Sequence, residues 1–417
     1  MGNYHKTVSV SAETLDAIGR SIPSRPIFPS LRGLDMQLQF SSYFQLLCHR
    51  NLSLVRIQVG WCSDRVVQPI LSELLPSGPQ LESLEISSPH ENLDVAASDQ
   101  ATLIISTQKL RHLLTHIPLS LSTLAQSTSL RTLESISLHA SLMTDSHSTV
   151  ASTGPFHFPA LLELRLRGHP TVLSRALRLA SMPILTRLEL ALPEAPAADE
   201  STSILPNISA YGVNQLAAVI CRFSSLEELK VYIDPSPPLS HVLTPSQLLA
   251  GEALRPLTAL QNLTVLDMPT VSVDLHPEDV ASMARSWPRL RELRIGGSCI
   301  RPGRRPFPTS ICTEDLYPFA QHCPSLSKLA ITVAASVKRA GSRSLVTGDE
   351  ELVPHGSLRI LHLMGSTVHS AWECTRIATF VVTVFPNALD RTYVGGADTT
   401  FKVRAIMHEQ VVLAETM

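Results

Sequence analysis

WPRLRELRI, residues 287–295, and CPSLSKLAI, residues 323–331, carry one pattern. Each opens on a bulky or apolar residue followed by proline, leaves one position free, and continues L-x-x-L-x-I. The last two apolar residues are two apart, which puts them on the same side of an extended chain. The pattern therefore predicts a short strand whose first leucine plugs the same core from the bend before it.

The pattern recurs along the chain as FPSLRGLDM (28–36), GPQLESLEI (78–86), FPALLELRL (158–166), MPILTRLEL (182–190) and FSSLEELKV (223–231). Looser copies start at Leu52, Leu110, Leu133, Leu263 and Leu358, and a worn one is FPNALDRTYV (385–394). First leucines at 161, 185, 226, 263, 290, 326 and 358 are 24, 41, 37, 27, 36 and 32 residues apart. A recurring unit at uneven spacing predicts a solenoid whose units carry loops of different length.

Upstream of the copies lies a second pattern. Val280, Met283, Ala284 and Trp287 stand at i, i+3, i+4 and i+7, as do Leu316, Phe319, Ala320 and Cys323. So do Leu216, Val219, Ile220 and Phe223, and Ala378, Val381, Val382 and Phe385. The same spacing holds Phe40, Tyr43, Phe44 and Leu47, and Val67, Ile70, Leu71 and Leu74. This is one apolar stripe on a helix of two to three turns. Thr313 before Glu314-Asp315 and Pro277 before Glu278-Asp279 suit helix starts. Proline disfavours helical geometry in the residue before it and cannot continue the helix. Trp287-Pro288 and Cys323-Pro324 are thus expected to end a helix while its last stripe residue is still buried.

Each unit then reads helix, proline stop, strand, loop. Strands joined by helical crossovers pair in parallel with right-handed connections. Stacked units give an α/β solenoid with a curved parallel sheet inside and helices outside, of about 11–13 irregular repeats that bury their leucines only against neighbours. The expected organisation is one solenoid over residues 1–394 and a C-terminal cap or tail over 395–417.

Bulk properties narrow the function. The 417 residues are 44% hydrophobic and only 5% aromatic, so aliphatic side chains build the core. A net charge of −2 gives no reason to expect nucleic acid or an anionic membrane as partner. The seven scattered cysteines include no C-x-x-C pair and no zinc-ligand spacing, which fits a reducing compartment. MGNYHKTVSV has no signal-peptide apolar region, and no apolar run is long enough to span a bilayer. Lys6 stands where the myristoylation motif after Gly2 wants Ser or Thr. Asn51, Asn207 and Asn262 lie in N-x-S/T triplets, two of them centred on a core leucine, and read as chance occurrences. A cytoplasmic or nuclear location follows as the expectation.

No catalytic signature emerges. His408-Glu409 is not followed by the second histidine of a metalloprotease helix, and Gly395-Gly396 belongs to no phosphate-binding motif. G-x-S-x-G is missing, and acid pairs such as Asp199-Glu200 sit in loops without a partner motif. The histidines, His90, His112, His116, His139 and His147 among them, are scattered and read as surface residues. The chain is not expected to be an enzyme and implies no cofactor and no metal.

With L-x-x-L-x-L at irregular spacing, an outer helix and the phrase CPSLSKLAI, the chain resembles leucine-rich repeat proteins of the F-box type, closest in style to the large fungal F-box-like group. The similarity runs from about Leu15 to about Tyr393. It implies a leucine-rich repeat solenoid that recognises substrate proteins for an SCF-type ubiquitin ligase, with a Skp1-like adaptor as second partner wherever an F-box is present. Two departures stand out. The asparagine that many such repeats place after the strand is mostly missing. No F-box phrase occurs either: Leu15, Ile18, Gly19 and Ile22 already form a stripe ahead of FPSLRGL. The expectation is a chain shortened or diverged relative to these relatives, and the alternative reading is a standalone scaffold without a ubiquitin link.

Positions flanking the core residues face away from the helices. They comprise Glu163, Arg165 and Arg167, Arg187 and Glu189, Glu228, Lys230 and Tyr232, Asp267, Glu292 and Arg294, Lys328, and His362. Charges of both signs on neighbouring strands are explained by cross-strand pairing or by a recognition surface for another protein with Tyr232 as an anchor. Candidate protein-binding residues on this concave face are Arg165, Arg167, Arg187, Glu189, Glu228, Lys230, Tyr232, Asp267, Arg294 and His362. The long connections, residues 140–157, 193–212, 234–246, 297–312 and 335–356, follow the strands and so gather on one rim. Within them Arg301, Arg304 and Arg305 make a compact basic loop suited to an acidic peptide or phosphate.

Overall fold

The computed structural model describes residues 12–21, 31–38, 52–59, 72, 81–87, 110–115, 132–139, 156–193, 210–234, 249–271, 273–296, 310–333, 353–364, 370–394 and 397–416. Contacts divide the chain into two units, Met1–Leu162 with Leu179–Met182, and Glu163–Arg178 with Pro183–Met417.

In the first unit, helix α1 (Ala12–Ser21) precedes five strands: β1 (Gly33–Leu38), β2 (Leu54–Val59), β3 (Ser83–Ser87), β4 (His112–Thr115) and β5 (Ser135–His139). They pair in parallel in chain order. Register carries Leu34 opposite Val55, then Leu84, Leu113 and Ile136, all buried. A second row runs Ile57, Ile86, Thr115 and Leu138. Thr115 is the one polar member of this row, and it is buried as well.

The second unit contributes eight described strands to the large sheet, again parallel and in chain order: β6 (Glu163–Arg167), β7 (Arg187–Pro193), β8 (Glu228–Asp234), β9 (Val265–Met268), β10 (Glu292–Ile295), β11 (Lys328–Thr332), β12 (Ile360–Met364) and β13 (Thr392–Val394). Each L-x-x-L-x-L copy lands in one register. Leu164, Leu188, Leu229, Leu266, Leu293, Leu329 and Leu361 lie side by side across seven strands, and every one is buried. Alternate residues point to opposite faces, so one face is dry and the other wet. At roughly 1.5–3 kcal/mol per fully buried leucine, such a row supplies most of the drive for ordering the sheet.

The bend before the strand is equally regular. The first leucine of a copy donates its N–H to the carbonyl three residues earlier: Leu226 to Phe223, Leu263 to Leu260, Leu290 to Trp287 and Leu326 to Cys323, all at 3.0–3.1 Å. The residue after it accepts two N–H groups from the next strand's start. The Thr186, Glu227, Thr264, Arg291 and Ser327 carbonyls each do this in the second unit, and Arg32, Ser53, Glu82 and Arg111 in the first. Hydroxyls reinforce the same ladder. Ser53 donates to the Arg32 carbonyl, Thr264 to Glu227 and Ser327 to Arg291. Asn262 Nδ2 donates to the Ser224 carbonyl at 3.0 Å. Side chains before the strand thus cap backbone groups, a task expected of asparagines after it.

The helical layer of the second unit contains α2 (Pro170–Leu179), α3 (Ala210–Ile220), α4 (Pro277–Ser286), α5 (Tyr317–His322) and α6 (Ala371–Val384). Trp287, Cys323 and Phe385 end α4, α5 and α6 with ψ of 63°, 67° and 57°, outside the helical range, and each precedes a proline. That is the restriction proline places on its predecessor. All three side chains are buried. The stripe residues are buried too, except Val382, which is half-buried. The stripes at 40–47 and 67–74 lie outside the described residues.

Helical geometry begins at Pro277 and Thr313, the expected starts, each just after its cap. His276 and Cys312 are the caps, and an acid three residues on accepts their backbone N–H groups: Asp279 Oδ2 at 3.1 Å and Asp315 Oδ2 at 2.8 Å. Ser370 and Glu373 form the reciprocal box on α6. Between β8 and β9 the crossover is a 3₁₀ segment, Gly251–Ala259, with Pro256 inside it. A Cβ on Gly251 would lie 2.2 Å from the Asp279 carboxylate, so only glycine fits there. Gly296 ends β10 at φ +78°, a left-handed conformation that side chains resist.

The last copy turns differently. Phe385 leads into a 3₁₀ turn, Pro386–Arg391, and Ala388 takes the buried place of the first leucine. Helix α7 (Ala397–Thr416) then packs on α6 and β13, burying Val403 and Met407. Thr400 Oγ1 accepts the Val394 N–H and donates to its carbonyl, and Arg404 Nε donates to the Thr392 carbonyl. The final strand thereby has its edge groups engaged. Among the described residues no helix is long and apolar enough to cross a membrane.

Candidate interaction face

On the face opposite the leucines, register sorts the polar residues of the second unit into two rows. One runs Glu163, Arg187, Glu228, Val265, Glu292, Lys328, Ile360. The other runs Arg165, Glu189, Lys230, Asp267, Arg294, Ala330, His362, Tyr393. Signs alternate along each row, save where Val265 separates Glu228 from Glu292, and between the two charged residues of one strand. The result is a checkerboard in which every charge from β6 to β10 has opposite charges beside it.

Ion pairs follow this layout. Arg165 meets Glu163 at 2.7 Å and Glu189 at 3.5 Å, Arg187 meets Glu228 at 3.3 Å, and Lys328 meets Glu292 at 2.8 Å. Tyr232 donates its hydroxyl to Glu189 Oε1 at 3.0 Å, so it is tied into the face and half-buried. Arg294 Nε stands 4.0 Å from Asp267 Oδ1, too far for a hydrogen bond. That oxygen is shielded from solvent with no hydrogen-bond partner. Desolvation raises the Asp267 carboxyl above its ordinary value, against the pull of Arg294 and Lys230. Desolvation, then Arg294, lowers His362.

The cross-strand pairing expected of mixed charges is therefore present at Arg165, Arg187, Glu189, Glu228 and Arg294. Arg167, Lys230, Asp267 and His362 share the face with them. Arg301, Arg304 and Arg305 lie outside the described residues. In the first unit, Arg56 bridges Asp35 at 3.3 Å and Glu85, and Arg111 meets Glu134 at 2.6 Å. These five residues were not among the sequence candidates, although Asp35, Arg56 and Glu85 occupy the same flanking positions of their copies.

Beyond β10 the checkerboard stops. Ala330 is small, the His362 and Tyr393 rings pack at a tilt of 54° with centroids 4.4 Å apart, and the Arg404 guanidinium lies 4.9 Å from the Tyr393 ring. Arg404 is carried by α7, beyond the last copy of the sequence pattern, so periodicity gave no signal for it.

No protein-family model matches the chain, and no curated protein matches it.

Among the described residues no three His, Cys, Asp or Glu side chains cluster as metal ligands would. The Cys312 and Cys323 thiols are pushed up to about 12, mainly by burial, which suppresses the nucleophilic thiolate. His355 corrects the surface reading of the histidines. It is buried, and both ring nitrogens bond to backbone. What the face offers chemically is a patterned array of charges on a rigid sheet.

Proposed function

We propose that the chain is a leucine-rich repeat solenoid of about 11–13 irregular units over residues 1–394, closed by residues 395–417, that binds another protein. Its specific task on this reading is substrate recognition of the kind performed by F-box/leucine-rich repeat receptors of SCF-type ubiquitin ligases, in the cytoplasm or nucleus. The supporting observation is the two-row array of alternating charges from β6 to β10, held rigid by the buried leucine row behind it. Preorganised charges of both signs select a partner by pattern and steer its approach. Neither a cofactor nor nucleic acid nor a membrane is needed for this task.

The test places a photo-cross-linking residue at Lys230, and separately at Arg285 on helix α4, in the full chain. Discrete protein adducts from position 230 and few from 285 are expected. Equal labelling at both positions, or none, overturns the reading. A Skp1-like adaptor is a partner only through an F-box encoded upstream. If the adaptor fails to bind a form extended upstream while adducts at 230 persist, the protein is a standalone scaffold.

A further inference from the structure

From β6 to β10 each strand contributes one acid to the solvent face: Glu163, Glu189, Glu228, Asp267 and Glu292. From β11 onward the described solvent-face positions hold Lys328, Ala330, Ile360, His362 and Tyr393, and no acid. Arg294 borders this stretch on one side and Arg404 on the other. Ala330 sits between Arg294 and His362 in register and leaves a notch floored by a methyl group. The opposite wall is the tilted His362–Tyr393 ring pair with Arg404 against it. Arg404 Nη2 is shielded from solvent and has no hydrogen-bond partner, although its Nε is committed to the Thr392 carbonyl. That guanidinium retains unused donor capacity, which an acceptor reaches only where the side chains covering it give way.

We infer that the β11–β13 end of the sheet face docks an acidic segment of a partner protein, with carboxylates meeting Arg294, Lys328 and Arg404 and an apolar side chain in the Ala330 notch. The inference rests on the protein-binding reading and adds the chemistry of the partner. Arginine suits such a site because its fork takes a carboxylate through two parallel bonds. Charge complementarity selects the occupant: Lys328 is offset by Glu292 and Arg294 by Asp267, and Arg404 leaves this end one cation in surplus. Polyphosphate chains need many dispersed cations for useful affinity, and this patch presents three around one notch.

The test pans the full-length chain against a random peptide display library, beside Ala330→Glu and Ala330→Lys variants. Peptides rich in Asp and Glu are expected from the native chain. Their binding should weaken about tenfold in A330E and tighten in A330K, with both effects shrinking at high salt. Opposite charges at one position keep the test decisive even if one variant folds poorly. Peptides without acidic enrichment, acidic peptides indifferent to residue 330, or preference for an oligonucleotide overturn the inference. If the selected peptides instead depend on Glu189 and Glu228, the protein-binding reading stands and this one falls. An empty selection defeats both.

Discussion

His355 Nε2 donates to the Cys323 carbonyl at 2.8 Å, across 32 residues of sequence. Its Nδ1 accepts the Leu358 N–H at 3.1 Å, and its ring packs edge-on against Phe385 at 5.9 Å. One buried imidazole thus ties the end of α5, the start of β12 and the end of α6. His355→Ala leaves a carbonyl and an N–H buried without partners and opens a void. A loss of about 2–4 kcal/mol is expected from urea unfolding. His355→Leu, which fills the space but pairs nothing, should recover only part of it.

Trp287 and Pro324 separate packing from chain stiffness. The Trp287 side chain is fully buried, and its indole N–H donates to the Leu257 carbonyl at 3.2 Å. Trp287→Ala should cost about 3–5 kcal/mol. Pro324 is exposed and acts by restricting Cys323. Pro324→Ala should cost less than about 1 kcal/mol, mostly through the unfolded chain. Thermal denaturation of the two variants distinguishes the contributions.

Reversing charges on the solvent face should barely touch stability. Arg187 and Glu228 have side chains 60% and 29% exposed, and such pairs contribute about 0–1 kcal/mol. Arg187→Glu is expected to shift the melting temperature by no more than a few degrees, and the double exchange with Glu228→Arg should recover only part of it, because Glu163 and Glu189 then flank the new acid and Lys230 the new base. A large loss would mean the face holds the fold together and is not free to evolve for recognition.

Asp267 sets a pH signature. Its folded carboxyl titrates above the ordinary 3.8, so the native state holds a proton that the unfolded chain has already released. Stability contributed by the protonated form is full below 3.8 and lost as pH rises through the raised value. Asp267→Asn should therefore stabilise the protein at pH 7 relative to native, with the gain disappearing below about pH 4. His362 runs the other way, because its folded value lies below 6.5. Its contribution is full above pH 6.5 and declines as pH falls below it, since the unfolded chain then binds the extra proton.

The strands and the leucine rows were legible because their signal is local. L-x-x-L-x-L fixes both the strand and the face, and Trp287-Pro288 or Cys323-Pro324 fixes where the helix stops. Leu293, Leu329 and Leu361 fell into register as the spacing required. What could not be read depends on partners far along the chain. The Ser327 hydroxyl on the Arg291 carbonyl, Arg111 with Glu134 and His355 with Cys323 each join different copies of the pattern, and no window of sequence holds both members. Gly251–Ala259 coiled into 3₁₀ geometry in place of a full helical turn because Pro256 supplies no N–H. The alternation of sign on the face was half visible: the residues were identified, but their checkerboard emerges only once the strands are laid side by side.

Paired cysteines on the solvent face test the stacking most directly. Asp267 and Arg294 are register partners on adjacent parallel strands, which lie about 4.8 Å apart, within the Cα range of a disulfide. Lys230 and Arg294 are separated by one strand, about 9–10 Å. Asp267→Cys with Arg294→Cys should close a disulfide under mild oxidation of the folded chain, and Lys230→Cys with Arg294→Cys should not. Cross-linking of the second pair, or failure of the first in a folded protein, would contradict the parallel, in-register array on which the proposed recognition face depends.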